Sequence, residues 1–272
     1  LGEHGYLHGF SAEERDRLRR QARIVEQRVH AGASFQGVRT LLEVGCGVGA
    51  QTEVLLRRWP ELSIVGVDVS EANLVAAREH LESLGPSATG RWELHHADAA
   101  DLDVEVGRCD GAWLCWVLEH VPDPARVLAE LARVLKPGSP VVVNEVQNAS
   151  LFLSPYSPAT LAYWTAFNEH QCELGGDPFV GAKLGNLLKH VGYRDIHTEV
   201  RAVLLDSRAP QERAAFLTYW TDLLLSGAPG LLSAERVTQE QVQGLERELS
   251  TVGSDPDAVF FYAFVHARAR VG

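Results

Sequence analysis

Between Thr40 and Val146 five short apolar runs alternate with stretches of helical spacing, and no other feature of this 272-residue chain narrows its fold so far. The runs are TLLEV (40–44), SIVGV (63–67), RWELH (91–95), GAWLC (111–115) and PVVVNEV (140–146). Most are too apolar for one solvated face, the pattern of strands covered on both sides. Between them lie Val54 to Leu56, then Leu74, Ala77, Leu81 and Leu84, then Val127, Leu128, Leu131, Val134 and Leu135, the last series closed by Lys136-Pro137-Gly138. Strand and helix alternating at this rhythm imply right-handed crossovers and a parallel α/β sheet with helices on both faces. A ligand of such a sheet sits beyond the carboxyl ends of the strands, where the strand order reverses.

The flanks extend this unit. Ser11 and Glu14 form a capping box, and Leu18, Ala22, Val25 and Val29 follow at helical spacing, which predicts an amphipathic helix over residues 11–31. The preceding His4-Gly5-Tyr6-Leu7-His8-Gly9-Phe10 is too short for a core element and too aromatic for an idle tail, so residues 1–35 read as a lid and its helix. After Val146 the rhythm breaks. Residues 147–180 mix aromatics, prolines and a Gly175-Gly176-Asp177-Pro178 turn, and read as a cap inserted over the site. Helical spacing resumes at Leu184, Leu187, Leu188 and Val191. Strands are expected around Ile196–Leu205 and Val259–Ala267, with two helical patterns between them that make a second cap at 206–250. Residues 36–272 are thus one domain with two cap insertions.

Composition excludes several function classes. No segment approaches the roughly 18 consecutive apolar residues of a membrane span, and the start lacks the basic and apolar regions of a secretory signal, so the cytoplasm is the expected setting. Cysteines 46, 109, 115 and 172 have neither disulfide-framework nor zinc-ligand spacing. His4 and His8 stand four apart, but Gly5 and Gly9 oppose the helix that metal binding at that spacing requires; no metal is expected. A net charge of −11 with no basic stripe argues against nucleic acid.

Chemistry concentrates at the first turn. Gly45, Gly47 and Gly49 follow a strand and precede a helix, where backbone must turn tightly and approach a ligand without a Cβ in the way. Gly45-x-Gly47-x-x-Ala50 with Asp68 satisfies the dinucleotide fingerprint, which leaves a nicotinamide-dependent oxidoreductase as one reading. Glu43, two residues before the first glycine, adds negative charge where pyrophosphate would bind and favours a cationic ligand. S-adenosylmethionine suits it: an ammonium, a sulfonium, no phosphate, and two ribose hydroxyls that Asp68 can accept from. Asp98-Ala99 falls where an adenine amino group would need an acceptor.

At this point the chain resembles the small-molecule branch of the class I S-adenosylmethionine-dependent methyltransferases. The matching stretches are Glu43-Val-Gly45-Cys-Gly47-Val-Gly49, Gly66-Val-Asp68, Ala97-Asp98-Ala99, Leu118-Glu119-His120-Val121-Pro122-Asp123-Pro124 and Val134-Leu135-Lys136-Pro137-Gly138. The resemblance implies a Rossmann-like seven-stranded, mostly parallel sheet whose last hairpin is antiparallel. It places Gly45, Gly47 and Gly49 against the methionine part, Asp68 on the ribose and Asp98 near the adenine, with Glu43, Cys46, Gln51, Val69 and Ala99 completing the cofactor site. Leu114, Cys115 and Trp116 would line the methyl side, and Tyr6 of the lid would close over the bound cofactor.

The expected activity is methyl transfer from S-adenosylmethionine to an oxygen, nitrogen, sulfur or activated carbon of a small metabolite, with secondary metabolism as the setting by fold analogy; a non-catalytic cofactor-binding protein is the other alternative. His120 is a candidate base, because neutral imidazole accepts a proton near pH 7. His170 and Tyr156 are further candidate catalytic residues, placed on the first cap where they could contact the acceptor and where Tyr156, Tyr163 and Trp164 could form an aromatic wall. The expected partner is a small-molecule substrate, with no nucleic acid and no membrane; oligomeric state is left open.

Overall fold

The structure, a computed structural model, describes residues 12–272. The five apolar runs form parallel strands β1 (Thr40–Val44), β2 (Ser63–Asp68), β3 (Trp92–His96), β4 (Gly111–Cys115) and β5 (Pro140–Val146), in the spatial order β3-β2-β1-β4-β5. Strand order therefore reverses between β1 and β4. A short strand β6 (Phe152–Ser154) follows, and the sheet is completed by β7 (Arg194–Leu205) and β8 (Val259–Arg270). β8 runs antiparallel to β5, β6 and β7.

Among the described residues the sheet thus has eight strands, the seven expected and β6 in addition. β6 resumes the β5 edge after an interruption, because Val146 pairs with Phe264 of β8 and Phe152 with Phe261. In the gap the Ser150 hydroxyl accepts from the Ala263 N–H (2.8 Å) and donates to the Ala263 carbonyl (3.2 Å), so a side chain satisfies the backbone groups that the ladder leaves open.

Strand alternation divides the core. Leu42, Val65, Ala112, Leu114, Val143 and Ala267 pack against α4 (Pro124–Val134) and α6 (Leu184–Val191). α4 starts at Asp123, whose carboxylate accepts from the Arg126 N–H (3.0 Å), and buries Val127, Leu128, Leu131 and Val134. The opposite face, with Leu41, Ile64, Trp113, Val142 and Phe264, packs against α1 (Ala12–His30), α2 (Ala50–Arg58) and the end of α3 (Glu71–Ser83). Beyond them on the same face lie the cap helices α5 (Pro158–Glu173), α7 (Pro210–Ser226), α8 (Ala228–Ser233) and α9 (Gln239–Ser254). α5 is the one long element that periodicity does not disclose. Its buried face mixes Thr160, Asn168 and Gln171 with Tyr163, Trp164 and Phe167, so polar residues interrupt the apolar stripe. Ser11, whose capping box was expected to start α1, and the lid residues before it lie outside the described residues.

α1 is fastened at its carboxyl end. The buried guanidinium of Arg201 on β7 donates to the carbonyls of Arg28 (2.8 Å), Val29 (3.0 Å) and Ala31 (2.5 Å), groups that have no partner within the helix. A positive charge there also complements the negative end of the helix dipole. Arg201→Met keeps the packing stem and removes these bonds; it is expected to lower stability by about 2 kcal/mol. In thermal unfolding that corresponds to a Tm lower by roughly 4–8 °C. An unchanged Tm would show that α1 is held by its apolar contacts alone.

Candidate active site

A cavity of about 270 Å³ opens at the carboxyl ends of β1, β2 and β4, bounded by α1 on one side and the cap helices on the other. It lies at the reversal of strand order, as the topology requires. Gly45, Cys46 and Gly47 form its floor. Gly45 has φ 68°, and a Cβ there would lie 2.5 Å from Val117 Cγ2, so only glycine fits between the two loops. Gly47 has φ 52°, and a Cβ there would meet no atom within 4 Å, so the turn leaves open space at this point.

The N–H groups of this turn are already engaged. Gly45 N–H (2.8 Å) and Cys46 N–H (3.0 Å) donate to the Val67 carbonyl, and Gly47 N–H donates to Asp68 Oδ2 (2.8 Å). Asp68 Oδ1 accepts from the Ser70 N–H (2.9 Å). Each Asp68 oxygen therefore retains a lone-pair direction for a further donor, and the residue lines the cavity. Burial pushes its carboxyl up, against the pull of the Ser70 and Gly47 N–H bonds. Asp98, Ala97 and Ala99 lie on the wall after β3, and the Ala100 N–H (2.8 Å) holds the Asp98 carboxyl below its ordinary range. Cys46, Gln51, Val69, Cys115 and Trp116 also line the cavity. Gln51 is oriented from below: its Oε1 accepts from His30 Nε2 (2.7 Å). His30 is stacked on Trp113 at 4.5 Å, and burial pushes its pKa down to about 4, which keeps it neutral.

The structure brings His120 to the cavity as well, with Nε2 3.6 Å from Glu119 Oε1. The turn carrying both is fixed by Glu145 at the end of β5, whose carboxyl oxygens accept from the N–H groups of Val117 (3.0 Å), Leu118 (2.8 Å) and Glu119 (3.3 Å). Trp116, just before that turn, has φ 57°, a left-handed conformation that is uncommon for a bulky residue and marks strain at the site. Glu119 Oε2 accepts from Gln171 Nε2 of α5 (2.9 Å). Asn148 joins the cap to the sheet: its Oδ1 accepts from the Tyr262 hydroxyl (2.8 Å), its Nδ2 donates to Asn168 (2.7 Å) and its carbonyl accepts from Trp164 Nε1 (2.8 Å).

Five expected site residues are placed elsewhere. Glu43 is buried beneath the glycine turn, where its Oε2 accepts from the Thr52 hydroxyl (2.6 Å), and it does not line the cavity. Burial pushes its pKa up to about 8, so in the ligand-free protein it does not supply the negative charge expected of it near neutral pH. Gly49 is the left-handed residue that starts α2. Leu114 packs against the α4 face because strand alternation turns it away from its neighbours Trp113 and Cys115. Tyr156 is 77% exposed, and His170 pairs with Glu173 (3.4 Å); neither lines the cavity, where α5 instead presents Trp164 and Phe167. Tyr163 is core, its hydroxyl donating to the Leu224 carbonyl (2.6 Å). Tyr6 lies outside the described residues. Sequence reasoning missed Arg17, Gln21, Tyr219 and Tyr262 on the wall; Leu18, Ala22 and Val25 of α1 and Phe216, Trp220 and Leu223 of α7 had a signal, as the apolar stripes of their helices.

Known proteins share the part of the chain that builds this cavity. Residues 42–143 match the profile described as a methyltransferase domain, the span from β1 to β5 that builds the cavity floor. Over that span the chain is similar to methyltransferase domains. It is 39% identical over 127 residues to a ubiquinone biosynthesis O-methyltransferase of Hahella chejuensis, covering 44% of this chain and 49% of that one. The chain spans about half the length of the curated relatives it matches. Among solved structures, phosphoethanolamine N-methyltransferase 2 of Haemonchus contortus, with phosphomonomethylethanolamine and S-adenosylhomocysteine, superposes with TM-score 0.55 at 18% identity over 92% of this chain and 52% of that one. A geranyl diphosphate C-methyltransferase of Streptomyces coelicolor, with Mg2+, geranyl diphosphate and S-adenosylhomocysteine, gives TM-score 0.53 at 16% identity over 93% and 79%. These likenesses support the fold. Among the described residues no group of three or more His, Cys, Asp and Glu side chains could hold a metal ion, and no helix is long and apolar enough to cross a membrane.

The Glu43 proton makes the stability of the fold pH-sensitive. The native state keeps the proton up to about pH 8, whereas the unfolded chain releases it near its ordinary value of 4.5. Folding is therefore favoured below that value, and the contribution is lost as pH rises through the window, at up to about 1.4 kcal/mol per pH unit. Glu43→Gln removes this dependence. Its unfolding free energy relative to wild type, measured in denaturant at pH 5, 6, 7 and 8, is expected to rise steadily with pH. A difference that stays flat would mean that Glu43 is ionised in the native state.

Proposed function

We propose that this protein transfers the methyl group of S-adenosylmethionine to a nucleophilic atom of a small molecule. The observation that carries the reading is the state of the glycine turn. Its three leading N–H groups are consumed by Val67 and Asp68, so those groups offer no cradle for a pyrophosphate. The carboxylate that holds Gly47 keeps lone pairs for a ribose diol. That donor set fits a nucleoside ligand without phosphate. The open space at Gly47 fits the close approach of such a ligand to backbone.

In this reading Asp68 binds the ribose hydroxyls, Asp98 and the Ala97–Ala99 backbone lie toward the adenine, and Cys46, Gly47 and Gln51 face the amino-acid part. When bound, S-adenosylmethionine supplies an electrophilic methyl group: the acceptor's lone pair forms the new bond to carbon as the carbon–sulfur bond breaks, its electron pair remaining on sulfur. The chain supplies alignment and exclusion of water, through α1 and the aromatic cap. His120 accepts the proton of an acceptor hydroxyl, and the Glu119 carboxylate beside it stabilises the resulting imidazolium. The family's O-methyltransferase relatives support a hydroxyl as the acceptor group.

Binding and turnover test the reading together. Wild type is expected to bind S-adenosylhomocysteine in calorimetry and to leave NADH unbound. Asp68→Asn is expected to weaken S-adenosylhomocysteine at least tenfold, since one oxygen of the bidentate acceptor is lost. Incubation with deuteromethyl S-adenosylmethionine and a small-metabolite extract should give a labelled product that His120→Ala makes at least 100-fold more slowly. NADH binding in place of S-adenosylhomocysteine would overturn the assignment.

A further inference from the structure

The part of the cavity away from the glycine turn has a chemistry of its own. Trp164 and Phe167 of α5, Phe216, Tyr219 and Trp220 of α7, and Tyr262 of β8 form its wall. They are one interlocked set. Trp164 stacks on Phe167 (5.3 Å, 15°) and Trp220 on Phe216 (6.1 Å, 22°), while Trp220 meets Tyr262 at 4.7 Å. Rings locked against one another offer flat apolar surface at little conformational cost.

Three polar atoms of residues on that wall have no partner among the described residues. Trp116 and Trp220 both line the cavity, and their indole Nε1–H groups are buried and unpaired. The Tyr219 hydroxyl forms no hydrogen bond among the described residues, although the residue is only 5% exposed. The contrast with the other wall hydroxyl is instructive, because Tyr262 donates to Asn148. A buried donor without a partner is costly, and a site that keeps such donors is built for a ligand that satisfies them. An indole N–H can only donate, so that ligand must bring lone pairs.

Charge narrows the ligand further. Among the described residues the wall holds one arginine and no lysine, and that Arg17 is engaged by Glu14 (2.7 Å) and Gln21 (2.6 Å). Asp68, Asp98 and Glu119 make the remaining formal charge negative. A phosphate or carboxylate on the acceptor would meet acids and aromatic faces with no cation left to pair with it. A cationic acceptor would find aromatic faces, but it would leave the indole donors unsatisfied.

We infer that the methyl acceptor is an uncharged, flat ring compound carrying oxygen substituents, read by Tyr219 and Trp220 as hydrogen-bond donors and held between the rings of α5, α7 and β8. The inference rests on the methyl-transfer reading for the identity of the second ligand. It adds the acceptor's chemical class and the residues that select it. The acceptors named with the two solved neighbours, phosphomonomethylethanolamine and geranyl diphosphate, both carry phosphate, so this wall sets the protein apart from them.

The test is calorimetric binding to protein already saturated with S-adenosylhomocysteine, so that it reads recognition rather than turnover. The neutral probes are 7-hydroxycoumarin and 2-naphthol. Their charged counterparts are 7-hydroxycoumarin-3-carboxylate, phosphoethanolamine and choline. The neutral probes are expected to bind at least tenfold more tightly than every charged one. Tyr219→Phe and Trp220→Phe, which remove a donor and keep a ring, should each weaken 7-hydroxycoumarin by about tenfold. Both should leave the S-adenosylhomocysteine affinity as it was, which also reports that the variants are folded. A charged probe binding as well as the neutral ones, no binding of either neutral probe, or two variants that bind 7-hydroxycoumarin like wild type would overturn the inference. Absence of S-adenosylhomocysteine binding at the first step would instead count against methyl transfer.

Discussion

The carboxylate of Asp68 ties together the two loops from which the site is made. One oxygen takes the Gly47 N–H of the turn after β1, and the other takes the Ser70 N–H at the start of α3. An acid at the end of a buried strand is costly unless it is hydrogen-bonded, and here backbone groups that themselves need acceptors do the bonding. The turn can then adopt left-handed φ at Gly45 and Gly47 without leaving orphaned donors. Asp68 also lines the cavity, so the group that shapes the floor is within reach of whatever lies on it. Rigidity and recognition come from one side chain, and little of the binding geometry has to be organised when a ligand arrives.

The cap is held to this floor by polar contacts between buried elements rather than by the sheet ladder. Asn148 links β8, α5 and the loop after β5 through three hydrogen bonds, and Gln171 of α5 bonds Glu119 on the turn that carries His120. Glu145, one strand over, holds that turn by its backbone; burial and the Glu119 charge push its own pKa up to about 8 against those bonds. Two acids and two amides thus couple the position of His120 to the position of α5. A substrate pressing on Trp164 or Phe167 would bear on the same network, because those rings stand on the helix that carries Gln171.

Much of the parallel sheet was legible because its signal is strong. Apolar runs such as SIVGV and PVVVNEV leave few alternatives to buried strands, and the glycine turn, Asp68 and Asp98 lie at strand ends that those runs locate. What was not legible has specific causes. α5 was hidden because three of its buried positions are polar, chosen to bond Asn148, Glu119 and Glu248 rather than to fill an apolar stripe. Tyr156 and His170 resembled site residues only by sequence proximity to an aromatic cluster, whereas the turn of the helix sends Trp164 and Phe167 inward. Tyr219 and Tyr262 come to one wall from α7 and β8 through tertiary packing, and nothing in their own neighbourhoods announces it.

Glu43 shows how a residue can be identified correctly as special while its physical role is misjudged. An acid before a glycine turn reads as charge offered to a ligand. In the fold it is fully buried below the turn, bonded to Thr52 of α2, and Asp68 above it favours the protonated form. Two carboxylates stacked along the end of the sheet cannot both be ionised cheaply in a dry interior. Keeping the lower one neutral removes its repulsion from the upper one, which lines the cavity. The acid beneath the turn therefore contributes by giving up its charge, a role fixed by depth in the sheet that a linear motif does not encode.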